Sequence, residues 1–306
     1  MEKIIAIVNP DSGDGNNMKY VDRLEKKLSQ YFDQVDMKIT NDNDDVVAYT
    51  NLACEENYDS ICSFGGDGTV NLIINILKDK ENPPKLAIIP GGTGNILARR
   101  LGISRNRAIA ISTMDFKNTI SMDIGDLGDR CFSFFLSIGA IPESIHDADS
   151  EDKKDKGMLA YLVKPKKLFG DKSIYKLRVE TESETYEGEV DHMVISMSNK
   201  FGQIKFSDVD ANPSDGYAHI YILENSGALK KVSTVFNILT SSVEDNENVV
   251  YMKAKSVRIE NLGEEKVETD LDGDEGPELP IEIKILNKKV DMYYNPKGII
   301  VKEENI

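Results

Sequence analysis

The sequence predicts an α/β protein with two domains: an N-terminal doubly wound parallel sheet of the Rossmann-like kind and a C-terminal, mostly antiparallel β-sandwich. Strand-like apolar runs alternate with helical periodicities through the first 120 residues, and glycine-rich loops connect several of these strands to the next helix. Beyond residue 120, hairpin-like segments separated by Gly, Asn and Asp dominate. A chain of 306 residues can supply two cores, since domains average roughly 150 residues.

The N-terminal elements follow one another in strand–helix order. Residues 3–8 form an apolar run typical of a strand buried on both faces, and apolar residues from Met18 to Leu28 recur at helical spacing. Further strands are predicted at 35–40, 60–64 and 86–89, and further helices at 46–53 (capped by Asp44 or Asp45), 70–77 and 95–101. We therefore predict a parallel, doubly wound α/β domain at residues 1–120, completed by residues 295–306.

The remaining chain has the pattern of an antiparallel domain at residues 121–294. Its predicted strands are 119–127, 131–138, 173–180, 185–197, 217–223, 249–260, 265–269, 281–286 and 289–293. Two helical stretches, 157–169 and 227–241, interrupt the strands. Exposed strand edges in such a domain make a homodimer possible.

Charge and hydropathy limit the partners and the location. A formal net charge of −16 excludes nucleic acid as a partner and requires any membrane-docking surface to be locally basic. Eight lysines between residues 153 and 176 are a candidate surface, although a solvated helix face is the commoner explanation. The longest apolar stretch, 131–141, falls short of the ~18 residues of a membrane span. We expect a cytoplasmic protein that contacts the inner face of the membrane transiently.

Neither the cysteines nor the histidines indicate a disulfide framework or a metal site. The three cysteines lie far apart without a C-x-x-C pair, which favours buried thiols over a disulfide framework. The three histidines lack metal-ligand spacing, so structural or surface roles are expected for them.

Three glycine-rich loops carry the chemical signal, each between a predicted strand and a predicted helix. They are residues 9–15 (Asn-Pro-Asp-Ser-Gly-Asp-Gly), 64–69 (Phe-Gly-Gly-Asp-Gly-Thr) and 90–95 (Pro-Gly-Gly-Thr-Gly-Asn). In an open α/β sheet such strand ends converge on one crevice, glycine lets the backbone approach a phosphate, and a helix N-terminus attracts its charge. The loops match neither the Walker sequence nor the G-x-G-x-x-G fingerprint, and the catalytic loop of protein kinases is missing.

These loops resemble the diacylglycerol kinase family in its bacterial, soluble form. Residues 64–71 are similar to the G-G-D-G-T-x-N signature shared with sphingoid-base kinases and, more distantly, NAD kinases. Residues 90–95 are similar to the P-x-G-T-x-N loop of the lipid-kinase branch, and residues 9–13 to its N-P-x-S-G start. Later matches are the helix at 156–161, the D-G strand entry at 213–217 and the D-G-E loop at 272–274. The matches occur in family order from end to end.

The resemblance implies an ATP-dependent lipid kinase that phosphorylates a hydroxyl of diacylglycerol or a related membrane lipid. Magnesium would arrive with the ATP. The implied nucleotide site consists of Asn9, Pro10, Asp11, Ser12, Gly13, Thr40, Gly65, Gly66, Asp67, Gly68, Thr69, Val70, Asn71, Leu72, Gly92, Thr93, Gly94 and Asn95.

The resemblance also implies roles in the second domain. Asp215, with the backbone carbonyls of Asn212 and Tyr217, would hold a structural magnesium linked through water to Asp67, an oxygen-only set that suits this ion. The catalytic residues would be Asp272 and Asp274, with Asp274 accepting the proton of the lipid hydroxyl. Taken alone, Asp-Gly pairs before strands are commonly plain turns.

Three departures from the family pattern concern carboxylates. Ile96 and Leu72 stand where acidic residues are usual, so the metal and water network is expected to be smaller or rearranged. Asp274 stands in place of a glutamate, with Glu275 next to it as a possible substitute. A base displaced by ~1 Å can cost ~10²-fold in rate.

Two other functions therefore stay open. A catalytically weakened nucleotide or lipid sensor is suggested by Leu72 and Ile96. An NAD kinase would share the second loop, but the Asn9-Pro10 start and the third loop, residues 90–95, favour the lipid branch.

Overall fold

The computed structural model describes residues 2–139, 174–198, 200–201, 204–205, 212–225 and 248–296. These residues fall into two compact units, one within Met1–Ile124, Asp129–Ser133 and Leu286–Ile306, the other within Gly125–Gly128 and Phe134–Ile285. The predicted helices at 157–169 and 227–241, and most of the lysine-rich segment, lie outside the described residues. No helix in the described part of the chain is long and apolar enough to cross a membrane.

The first unit alternates strands and helices. Its elements are β1 (Lys3–Val8), a short 3₁₀ helix (Asn17–Tyr20), α1 (Val21–Leu28), β2 (Gln34–Ile39), α2 (Asn43–Glu55), β3 (Ser60–Gly65), α3 (Asp67–Leu77), β4 (Lys85–Pro90), α4 (Ile96–Arg100), α5 (Arg107–Thr113), β5 (Thr119–Asp126) and β6 (Cys131–Phe132). Strands β2, β1, β3 and β4 are parallel neighbours in that order. Residues 4–8 of β1 are fully buried, as expected for a strand covered on both faces.

The starts of α2 and α3 differ from the sequence prediction, and one helix, α5, was missed. The cap of α2 is Asp42, whose side chain accepts from the Asp45 N–H, while the Asp45 carboxylate accepts from the Asn41 N–H. This reciprocal arrangement leaves both predicted caps inside the helix. Helix α3 begins at Asp67, so the second glycine loop runs directly into its first turn. Helix α5 was not predicted, although the side chain of Asn106 caps it by accepting from the Ile109 N–H.

The second unit consists of antiparallel strands, and the last of them continues into the first unit. They are β7 (Phe135–Ile138), β8 (Tyr175–Thr181), β9 (Thr185–Ser196), β10 (Lys200–Phe201), β11 (Ile204–Lys205), β12 (Ala218–Glu224), β13 (Val249–Ala254), β14 (Ser256–Asn261), β15 (Glu268–Leu271), β16 (Asp274–Glu278) and β17 (Ile281–Tyr293). Their main order is β16-β15-β7-β9-β8-β14-β17, and β12 pairs with both β9 and β13. The predicted α/β class, parallel in the N-terminal part and antiparallel in the C-terminal part, is confirmed.

Several strand boundaries were predicted wrongly. The strands expected at 131–138 and 249–260 are each divided in two, and β15 begins three residues later than expected. The two strands expected at 281–286 and 289–293 are one, with an irregular point at Lys288, where φ is +50° and the N–H donates to the Asp123 carboxylate at 2.7 Å. Within the first unit, the end of this strand lies parallel to β4, with Met292 opposite Leu86.

Candidate functional site

The three glycine loops lie together at the carboxyl ends of the parallel strands, as the sequence predicted. The hydroxyl of Ser12 in the first loop accepts from the Gly66 N–H of the second at 2.9 Å, and the Gly91 N–H of the third donates to the Gly65 carbonyl at 2.7 Å. A Cβ added at Gly92 would lie 2.6 Å from the Cα of Gly66. The second and third loops can therefore approach this closely only because residue 92 is glycine.

The first loop is held by its own polar side chains. Asn9 accepts from the Asp11 N–H at 3.1 Å and donates from Nδ2 to the Thr69 hydroxyl at 3.2 Å, which ties the loop to α3. Gly13 has a φ of +67°, and a Cβ there would lie 2.4 Å from the Gly91 carbonyl oxygen. Both the backbone conformation and the close approach require glycine at this position.

The carboxylate of Asp67 joins the second loop to the third. It accepts from the backbone N–H of Asn95 at 2.6 Å and of Ile96 at 2.7 Å. Asn95 has a φ of +49°, and its side chain closes the third loop through both backbone polar groups of Gly92. The unusual side chain of Ile96 leaves this contact intact, because the contact uses only its backbone.

The predicted nucleotide-site residues differ in exposure. Buried members are Thr40, Gly65, Thr69, Val70 and Asn95, whereas Asp11, Gly13, Gly68 and Thr93 are exposed. The Thr40 N–H and hydroxyl both bind the Val8 carbonyl, and Leu72 packs against the hydrophobic core. Gly68 lies in the first turn of α3, and a Cβ there would meet no protein atom within 4 Å. The buried members shape the loops, and the exposed ones can face a ligand.

Two arginines that the sequence analysis missed hold the loop backbones. Arg107 binds both carboxylate oxygens of Asp14, at 2.7 and 3.2 Å, and also donates to the Gly91 carbonyl at 2.8 Å. Arg105 donates to the Thr93 carbonyl at 3.0 Å. The guanidinium of Arg107, followed by hydrogen bonds from Asn16, holds the pKa of the Asp14 carboxyl well below its usual range. Arg105 adds positive charge to the third loop, whereas the charge of Arg107 is balanced by the Asp14 carboxylate.

Replacing Arg107 with lysine is expected to loosen the third loop. An ammonium can keep the ion pair with Asp14 but cannot also reach the Gly91 carbonyl with a second fixed donor. Amide exchange at Gly91 and Gly92 should become about fivefold faster, the factor for one hydrogen bond worth about 1 kcal/mol. Hydrogen-exchange mass spectrometry measures this, with the exposed Arg23→Lys as the matched control. Unchanged exchange at the loop would contradict the bridging role.

In the second unit, Asp272 and Gly273 form the two-residue turn between β15 and β16. Their φ values are +54° and +97°, and the flanking Leu271 and Asp274 are paired. Such a turn needs left-handed backbone at both positions, which Asp-Gly supplies readily. The turn expected for an Asp-Gly pair is therefore present here. Asp274 begins β16 and is exposed, as is Glu275.

The side chain of Asp272 does more than complete a turn. Its Oδ1 accepts from the backbone N–H of Phe134 and of Phe135, both at 2.9 Å, and the residue is 7% exposed. These two N–H groups lie where the chain passes from β6 to β7, so the carboxylate takes the place of a strand partner there. The contact explains why the predicted strand at 131–138 is divided.

Asp215 lies in a tight loop before β12. Its Oδ1 accepts from the Tyr217 N–H at 3.0 Å, and its own N–H donates to the Asn212 carbonyl at 3.1 Å. Its Oδ2 lies 3.0 Å from Nε2 of His219 and 3.4 Å from Nζ of Lys253. Both carboxylate oxygens therefore have donors from the protein.

The predicted metal ligands of this loop do not fit magnesium well. The Asp215 carboxylate already accepts from the Tyr217 N–H and lies beside His219, and the Lys253 ammonium is a cation at the same carboxylate. The described residues include no group of three or more His, Cys, Asp or Glu side chains that could hold a metal. Asp67, the predicted water-linked partner, belongs to the first unit.

Comparison with known proteins identifies the family. Residues 3–127 match the diacylglycerol kinase catalytic domain. Over 297 residues the chain is 38% identical to a Streptococcus pneumoniae protein named "Putative lipid kinase", covering 97% of this chain and 99% of that one. The chain belongs to the diacylglycerol kinase family.

Other relatives in the family match over a similar extent. A Bacillus subtilis diacylglycerol kinase is 27% identical over 305 residues, covering 99% of this chain and 98% of that protein. A crystal structure of a diacylglycerol kinase from Bacillus anthracis str. Sterne is 25% identical with a TM-score of 0.74, covering 97% and 98% of the two chains. The glycine loops lie inside the matched catalytic domain, and the acidic residues from Asp215 onward lie beyond its end at residue 127.

Proposed function

We propose that the protein is an ATP-dependent lipid kinase that transfers the γ-phosphate of ATP to a hydroxyl of diacylglycerol or a related membrane lipid. The observation that carries this proposal is the assembly of three glycine loops around the first turn of α3, where Gly68 is exposed. Family membership supports a kinase. The three glycine loops would form the phosphate site, and their sequences match neither the Walker loop nor the dinucleotide-binding fingerprint.

The nucleotide phosphates would bind at the N-terminus of α3. Backbone N–H groups in a first helical turn attract anions, and the exposed Gly68 allows the phosphate to approach the backbone closely. Arg105 and Arg107 hold the neighbouring third loop through the Thr93 and Gly91 carbonyls, and Arg105 adds favourable charge. The magnesium that accompanies ATP supplies the neutralisation that phosphoryl transfer requires.

The carboxylates of β16 would accept the proton of the attacking lipid hydroxyl. Asp274 and Glu275 are adjacent and exposed, whereas Asp272 is occupied by backbone N–H groups. A proton acceptor must be accessible to the substrate hydroxyl, so Asp274 or Glu275 suits this step and Asp272 suits positioning of the hairpin. We further propose transient contact with the inner face of the membrane, where the lipid is found.

A substrate screen with labelled ATP tests the proposal. The purified protein should phosphorylate diacylglycerol or a related lipid alcohol in mixed micelles, and NAD should not be phosphorylated. One of the matched variants Asp274→Asn and Glu275→Gln should lose about 10²- to 10⁴-fold in turnover, the range for removing a general base, while the other stays near wild type. ATP binding without turnover on any lipid would overturn the proposal and favour a sensor.

A further inference from the structure

From the contacts of Asp215 we infer that the Lys253 ammonium, rather than a divalent metal, is the cation that neutralises this carboxylate and holds the loop at residues 212–217. Lys253 lies on β13, and its Nζ is 3.4 Å from Oδ2 of Asp215. The inference concerns how the loop is stabilised, so it does not depend on the proposed kinase activity.

The position of Lys253 is fixed by two groups of the same loop. Besides the ion pair with Asp215, its Nζ lies 4.3 Å from the centroid of the Tyr217 ring. An ammonium over an aromatic face is attracted by the ring electrons, which orients it without a second acceptor. The side chain of Asp215 is 17% exposed and that of Lys253 is 37% exposed, so water screens the pair only in part. The loop thus provides both a carboxylate and an aromatic face for the Lys253 ammonium.

A histidine completes the shell around Asp215 from the interior. His219 is fully buried, and its Nε2 lies 3.0 Å from Oδ2 of Asp215 while its Nδ1 lies 2.8 Å from the Tyr251 hydroxyl. A carboxylate can only accept, so Nε2 is the donor in this pair. A neutral imidazole satisfies both contacts, with the Tyr251 hydroxyl donating to Nδ1. His219 then supplies a hydrogen bond and Lys253 supplies the charge.

A magnesium ion would compete with these groups directly. Magnesium demands close oxygen ligands in near-octahedral geometry, and its double charge would repel an ammonium only a few ångströms away. Binding would require Lys253 to leave Asp215 and Tyr217. Because the chain already neutralises and satisfies this carboxylate, a metal has little to add.

The test is a mutant cycle on thermal unfolding, measured by circular dichroism without nucleotide, in EDTA and in excess Mg²⁺. The variants are Lys253→Met, Asp215→Asn and the double variant, with Lys255→Met as the matched control. Lys255 also lies near the Tyr217 ring, at 5.3 Å, so its replacement removes the same charge nearby. We expect the same Tm for wild type in EDTA and Mg²⁺. Lys253→Met should lower Tm by about 2 °C or more when Asp215 is present and by much less in the Asp215→Asn background.

Two results would overturn the inference. One is a Mg²⁺-dependent rise in the wild-type Tm that disappears in Asp215→Asn, because a ligand that binds the native state raises Tm with its concentration. The other is a loss of Tm in Lys253→Met that does not depend on the Asp215 carboxylate, shown either by an equal loss in the Asp215→Asn background or by an equal loss in Lys255→Met. Because no ATP or lipid is present, neither result can be confused with a failure of the kinase proposal.

Discussion

Replacing Asp272 with alanine is expected to lower the free energy of unfolding by about 3–8 kcal/mol. Two buried N–H groups, those of Phe134 and Phe135, would lose their acceptor, at about 1–3 kcal/mol each. Alanine would also have to adopt the φ of +54° that this turn requires, at about 1–2 kcal/mol. Equilibrium unfolding in urea measures the difference.

Asp272→Asn is the matched control, because it separates the role of Asp272 in stability from any role of its negative charge in catalysis. Asparagine keeps an oxygen that can accept both N–H groups and tolerates left-handed backbone, so it should cost only about 1 kcal/mol. If turnover falls strongly in this folded variant, the negative charge takes part in the reaction. Equal destabilisation by alanine and asparagine would contradict the anchoring role.

The sequence was most informative where a residue type is required by the backbone. At Gly13 and Gly92 an added side chain would collide with backbone atoms of another loop, and the loops could be recognised from glycine spacing alone. The apolar run at residues 3–8 likewise predicted β1 with its bounds, since a strand buried on both faces leaves little choice of residue.

Contacts between residues far apart in sequence could not be predicted in this way. Arg107 reaches Asp14 across 93 positions, and the pair of Lys253 with Asp215 exists only because β12 and β13 are neighbouring strands. The sequence around an arginine or a lysine does not show which distant acidic residue its side chain will contact. The choice among neighbouring acids was equally hard to predict: of Asp42, Asp44 and Asp45, only Asp42 caps α2, and Asp45 lies inside the helix and accepts from Asn41.

Replacing Gly68 with alanine is expected to weaken ATP binding at least about tenfold without destabilising the protein. A methyl group here would meet no protein atom within 4 Å, and alanine favours helix over glycine by as much as about 1 kcal/mol. The fold therefore does not require glycine at this position, whereas a phosphate resting on the first turn of α3 does. Calorimetric titration with ATP and a thermal melt measure the two effects.

Gly92→Ala gives the opposite combination and serves as the comparison. Its Cβ would lie 2.6 Å from the Cα of Gly66, so the second and third loops must separate, and both stability and ATP affinity should fall. A Gly68→Ala protein that binds ATP like wild type would place the phosphates elsewhere on the loops. Loss of affinity in both variants, with loss of stability in Gly92→Ala alone, would distinguish a glycine that the ligand needs from one that the fold needs.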